Sequence, residues 1–354
     1  MVDIISFAEA LADSDKYKKK HLLLGNGFSI ACRHEIFTYK SLFDQADFKK
    51  NPHIEQVFEA MGTSDFEKVI RVLENAAKIL PVYSQDLASI ASQFEEDAEL
   101  LKTILIDTLA KNHPPIPNDI SEEEFRACRG FLNYFAGEGS QGQIYTLNYD
   151  LLLYWALMHE VEDDPEEYSL RSNDGFGRDE DTEAVYVEWM GESNYGQNIH
   201  YLHGALHLFD AGANLLKYTW INTGMRLLDQ AQDAMTNDKF PLFVAEGTSD
   251  QKLGKIKHSA YLYRAYKSFS EQMKKKDQSL FIFGHSLDES DHHILKKISK
   301  GKVEKIYVGL YGDKDLPANR AIIATARSMQ SMRPKKFNPL QVAFFNAESA
   351  RVWG

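Results

Sequence analysis

Apolar residues along the chain alternate between two patterns: short unbroken runs, and longer stretches that repeat at helical spacing. The runs His21–Leu24, Gln143–Leu147, Val185–Trp189, Ile199–Leu202, Pro241–Ala245, Leu280–Phe283, Lys305–Leu310 and Gln341–Phe345 predict strands. Ala205–Phe209 is placed to pair back on Ile199–Leu202 as a hairpin. Between the runs, Phe66–Leu80 puts Phe66, Val69, Ile70, Leu73, Ala77 and Leu80 on one helical face. Asp86–Asn112, Glu122–Phe135, Leu151–His159, Ile256–Lys274, Glu289–Lys300 and Ala318–Met329 read as further helices. The break Pro114-Pro115-Ile116-Pro117 separates the second from the third. This alternation predicts an α/β fold, a doubly wound Rossmann-like parallel sheet with a helical insertion at about residues 50–140. One domain spanning 1–354 is expected, with an acidic loop insertion at about 160–182 broken by Pro165, Gly175 and Gly177.

Composition narrows the function. The chain carries 40 basic and 52 acidic side chains, a net charge of −12, which argues against general nucleic-acid binding. Two cysteines, Cys32 and Cys128, are too few for a disulfide framework or a four-thiolate zinc site. The start MVDIISFAEALADSD lacks a basic, then apolar, leader pattern, and no apolar run reaches bilayer length. These features lead us to expect a soluble, cytoplasmic protein without a membrane partner.

Four polar motifs end predicted strands, the edge at which open parallel sheets bind ligands. Gly25-Asn26-Gly27-Phe28-Ser29 has the glycines that let backbone approach a pyrophosphate, and is equally a tight strand-to-helix turn. A dehydrogenase fingerprint would need an acidic residue farther on, which Asp44 matches only loosely. Thr146-Leu147-Asn148-Tyr149-Asp150 offers an amide and a carboxylate, with Asp150 also suited to cap the next helix. His203 and Gly204 follow the third strand. His200, His203 and His207 would share a helical face, but the strand-like pattern puts His200 and His203 on opposite sides, so no metal is expected. Gly284-His285-Ser286-Leu287-Asp288 closes the set, and there Ser286 or Asp288 can cap. Ser64-Asp65-Phe66-Glu67 reads as a capping box, and His292-His293 as part of a solvated helix face.

Taken together, these segments resemble the sirtuin-like superfamily of NAD-binding proteins. Gly25–Ser29 is similar to its first nucleotide loop, and Thr146–Asp150 to its Thr-x-Asn-[Tyr/Ile]-Asp motif. Leu202-His203-Gly204 is similar to its Leu-His-Gly motif, and Gly284-His285-Ser286 to its ribose and phosphate loop. Within the superfamily the chain is most similar to bacterial proteins sharing Leu-Gly-Asn-Gly-Phe-Ser, a Ser/Thr-x-Asp-Phe-Glu helix start and Phe243-Val244-Ala245-Glu246-Gly247. Bacterial relatives include NAD-depleting effectors of antiphage defence. No cysteine follows Cys128, so the zinc ribbon of the deacylases is absent, and the first loop lacks their Asp-Phe-Arg.

The resemblance implies an NAD glycohydrolase that releases nicotinamide, with Asn148 and His203 catalytic and NAD as substrate. Gly25, Asn26, Gly27, Ser29, Thr146, Asp150, Gly284, His285, Ser286 and Asp288 would bind the dinucleotide, with Asp65, Glu67 and Glu246 as further candidates. It implies control by homo-oligomerisation or by a regulatory, possibly nucleotide-sensing, partner. The competing readings are an NAD or ADP-ribose sensor without turnover, and a zinc-less deacylase.

Overall fold

The computed structural model describes residues 2–114, 116–159, 169–177, 186–191, 196–212, 214–218, 229, 240–244 and 248–354. In chain order its strands are β1 (Ile4–Ile5), β2 (Lys19–Leu24), β3 (Ile144–Thr146), β4 (Tyr186–Glu188), β5 (Ile199–Tyr201) and β6 (Gly204–Asp210). They continue with β7 (Leu215–Tyr218), β8 (Phe240–Phe243), β9 (Gln278–Phe283), β10 (Lys305–Leu310) and β11 (Gln341–Asn346). Seven of them form one sheet in the order β1-β11-β10-β9-β2-β3-β5, and every pairing in it is parallel. Helices flank this sheet, an α/β arrangement compatible with a Rossmann-like fold.

Its central strands explain their own sequences. Leu22, Leu23 and Leu24 of β2 and all of β9 are buried, as strands covered on both faces must be. From β2 the order steps through β3 to β5 on one side, and through β9, β10 and β11 on the other. The carboxyl ends of β2 and β9 therefore flank the point where the order changes direction, where a crevice opens in such sheets. Between β2 and β3 run several helices, including Pro52–Met61, Phe66–Tyr83, Ala88–Asn112 and Glu122–Ala136. Part of this region closes over Phe43, Phe48, Phe58 and Phe66, with ring centroids as near as 4.9 Å.

Several expectations need correction. Ala205–Phe209 does not fold back on Ile199–Leu202. Gly204, at φ +78°, turns the chain out of the parallel sheet, and β6 enters an antiparallel four-stranded sheet of order β4-β7-β6-β8. A β-carbon at Gly204 would lie 1.9 Å from the Leu242 carbonyl oxygen, so the turn requires glycine. The single helix expected over Ile256–Lys274 is two, Ser249–His258 and Ala260–Met273, divided at Ser259, whose hydroxyl caps the second. The helix at Phe66 is capped by Asp65 through the Lys68 amide, one residue later than the Ser64 box. The N-terminal segment adds edge strand β1 and a helix, Phe7–Ser14, headed by a Ser6–Glu9 capping box. Of the acidic insertion, residues 160–168 and 178–182 lie outside the described residues, as do Glu246 and the side chain of Glu67. Among the described residues, no helix is long and apolar enough to cross a membrane.

Candidate functional site

Two glycine turns meet at the crevice. Gly25 leaves β2 and Gly284 leaves β9, and the Gly27 amide donates to the Gly284 carbonyl at 2.8 Å. A β-carbon on Gly27 would come within 2.5 Å of Gly284 Cα, and one on Gly284 within 2.6 Å of Gly27 Cα. Gly284 also sits at φ +70°. These glycines are thus required first by the contact of two backbones. The amides of Gly27, Phe28 and Ser29 are spent on the Gly284, Gly25 and Asn26 carbonyls, so the loop does not present them as a ready anion cradle.

A cavity of about 680 Å³ opens beside these turns, of a size that suits a small organic ligand. Gly25, Asn26, Gly27, Asn148, Asp150, His203, Gly284, His285 and Ser286 all line it. Motifs separated by more than a hundred residues are brought together because each ends a neighbouring strand.

Ser29, Thr146 and Asp288 are not on that wall. Ser29 is fully buried; its hydroxyl donates to Asp150 Oδ2 at 2.5 Å and accepts from Asn148 Nδ2 at 2.9 Å. It holds Asn148 from behind and is not placed to cradle a pyrophosphate. Thr146 Oγ1 accepts the Asn148 amide at 3.1 Å, and Asp288 caps a short turn through the Ser290 amide. Asp150 also accepts the Leu152 amide at 3.0 Å, so it shapes the start of the next helix while facing the cavity. Burial raises its carboxyl above the ordinary value, against the lowering effect of the Ser29 bond.

His203, 1% exposed, lines the same cavity. Its Nε2 lies 3.2 Å from Nε2 of His293, and the two rings meet edge to edge, with planes 25° apart and centroids 5.4 Å apart. His293 Nδ1 in turn reaches the Ser249 hydroxyl at 3.1 Å. His293 is therefore buried behind His203, not solvated as the sequence led us to expect; of the pair, His292 is exposed. Asp291 joins this wall: Oδ2 meets His285 Nε2 at 3.1 Å, and Oδ1 meets Lys252 Nζ at 3.2 Å and His203 Nε2 at 3.8 Å. His285 Nδ1 accepts the Leu287 amide at 2.8 Å, which leaves Nε2–H to donate to Asp291.

Burial drives the titration of this wall. It lowers His203 well below the ordinary histidine value and His293 to about 4, although Asp291 pulls both upward. For Asp291 burial acts upward, but Lys252 and the hydrogen bond with His285 prevail and hold the carboxyl well below the usual range. Ligand-type atoms of His203, Asp291 and His293 lie within 4.8 Å of one another, a spacing open to a cation. The Lys252 ammonium, itself 1% exposed, already supplies the positive charge that Asp291 faces. The other two histidines of the triplet weighed in the sequence go elsewhere: His200 stacks on Tyr145, and His207 on Tyr154.

Sequence reading missed Ser249, Lys252, Asp291, His293 and the tail. Asp291 falls in helical register with Ile294, Leu295 and Ile298, a stripe that marks an inward face. Lys252 and Ser249 gave no such signal. At the other end of the cavity, Trp353 donates its indole N–H to the Phe28 carbonyl at 2.9 Å, and Arg351 and Val352 join the lining.

Comparison with curated proteins finds no match. The profile of one family covers residues 22–353, nearly all of the strands and the whole cavity wall just described. On that coverage the chain belongs to the DUF4917 family, a domain of unknown function.

Proposed function

We propose that the protein is an NAD glycohydrolase of sirtuin-like type, built on a doubly wound Rossmann-like domain and releasing nicotinamide to leave ADP-ribose. One observation carries this reading: Asn148 and His203 face one cavity of about 680 Å³ that also runs past both glycine turns. The nicotinamide is a pyridinium in NAD, so it leaves as a neutral base and needs no general acid. As the ribose carbon–nitrogen bond breaks, its electron pair goes to the ring nitrogen and an oxocarbenium-like centre forms. A water oxygen bonds to that carbon and loses a proton.

Asn148, oriented by Ser29, has an amide able both to donate to and to accept from this water or the ribose. His203 is a free base at neutral pH, because burial opposes its charged form. It can take the proton. Positioning and a general base are both worth several orders of magnitude in rate.

The experiment is nicotinamide release from NAD by wild type, His203→Ala and Asn148→Ala. His203→Ala is expected to lose about 10²–10⁴-fold in turnover, and Asn148→Ala at least as much. Undiminished release by both variants would overturn the assignment. A toxic activity of this kind calls for gating, by self-association or by a partner, as a bacterial defence effector would require. Equal turnover by the isolated chain and by every assembled form would refute the gating. A binding-only sensor is favoured by the near-complete burial of the His203 ring. NAD binding without nicotinamide release, in all assembled forms, would decide for it.

A further inference from the structure

A 3.2 Å contact between two imidazole nitrogens, each ring neutral, requires one proton between them. Two N–H groups would clash there, and two lone pairs would repel. His203 and His293 therefore hold opposite tautomers: one ring is protonated at Nε2, the other at Nδ1.

Two further contacts bear on which ring carries the shared proton. Asp291 Oδ1 lies 3.8 Å from His203 Nε2, and its negative charge favours a proton on that nitrogen. On the far side of His293, the Ser249 oxygen receives the His293 amide at 2.6 Å and stands 3.1 Å from His293 Nδ1. A hydroxyl oxygen has two lone pairs, so it can accept from both. The Asp291 charge selects the arrangement in which His293 gives Nδ1–H to Ser249 and accepts at Nε2, while His203 donates through Nε2–H. The other ring nitrogen of His203, a residue that lines the cavity, is then an unprotonated Nδ1.

We propose that His293, anchored by Ser249, is the positioning residue that holds His203 in the tautomer with a free Nδ1. Its functional consequence rests on the glycohydrolase reading, since a base must present a lone pair to the water it deprotonates. The tautomer itself does not depend on that reading. His293 touches no substrate; it acts through His203, as the orienting member of a catalytic triad acts through its base.

The test joins a spectrum to a rate. Ring nitrogen shifts of protein labelled with ¹⁵N-histidine should show His203 protonated at Nε2 only, and His293 at Nδ1 only. In Ser249→Ala this bias should fade. His203 protonated at Nδ1, or both rings in the same tautomer, would overturn the proposal whether or not the protein turns over NAD. In the rate assay His293→Phe should lose about 10²–10⁴-fold in kcat, with KM for NAD within about twofold. His293→Gln should recover much of it, because an amide oxygen accepts the Nε2–H as well. Full kcat in His293→Phe would overturn the proposal, and where that variant fails to fold, Ser249→Ala with undiminished kcat would do so. No nicotinamide release from wild type in any assembled form would instead count against the glycohydrolase, leaving the spectrum to decide the tautomer.

Discussion

The two polar walls of the cavity are built in opposite ways. On one, Ser29 ties Asn148 to Asp150 in a compact network whose members all lie within a few residues beyond the ends of β2 and β3. On the other, Lys252, His203 and the stretch that carries His285, Asp291 and His293 meet in a buried cluster around one ion pair, Asp291 with Lys252. The first wall is held by hydrogen bonds to groups that follow directly from adjacent parallel strands. The second depends on a carboxylate whose counter-ion is another buried side chain. Removing one partner should therefore cost more on the second wall than on the first.

The sharpest way to break this comparison is Asp291→Ala. It removes the carboxylate that lies 3.2 Å from the Lys252 ammonium, a group 1% exposed, and that also meets His285, and should destabilise the fold by about 3–5 kcal/mol. Urea titration would measure it, and a loss below about 1 kcal/mol would contradict the charge-paired view of this wall. Gly284→Ala should follow closely. Its φ of +70° and a contact of 2.6 Å to Gly27 Cα combine strain with overpacking, together about 2–4 kcal/mol. Ser29→Ala on the first wall should cost less, about 1–3 kcal/mol, by leaving Asp150 and Asn148 short of a partner.

Acid sharpens the same contrast, because the walls have opposite signs. His293 titrates near 4 in the fold and His203 also lies well below the ordinary value, so the unfolded chain binds more protons below about pH 6.5. Stability from these two histidines is present above that pH and is lost as pH falls toward 4. The lowered Asp291 carboxyl acts in the same direction at still lower pH. Asp150 is raised, so its contribution is fully present below the unfolded carboxylate value and is lost as pH rises through its folded one. Urea midpoints between pH 7 and pH 4.5 should therefore fall in wild type, and fall less in His293→Gln. An equal fall in both would remove His293 as a source of the acid sensitivity.

Much of the fold was legible because parallel strands buried on both faces leave continuous apolar runs, as in Leu22-Leu23-Leu24 and Leu280-Phe281-Ile282-Phe283. The antiparallel sheet was not. Ala205–Phe209 reads the same whether it pairs with Ile199–Leu202 or with strands farther on, and the choice is made by the turn at Gly204. Nor could spacing foresee the split at Ser259, since apolar periodicity runs through Ile256, Leu262 and Phe269 on either side of it.

By itself the sequence determined which residues end the central strands, and hence that Gly25, Asn148, His203 and Gly284 would share an edge. Strand ends are local, and a parallel sheet brings them to one side. Tertiary structure alone decided what stands behind them: Ser29 beneath Asn148, and His293, Ser249, Asp291 and Lys252 around His203. Those partners come from helices that pack on the sheet, and packing, unlike strand order, leaves little trace in the local pattern of apolar and polar residues.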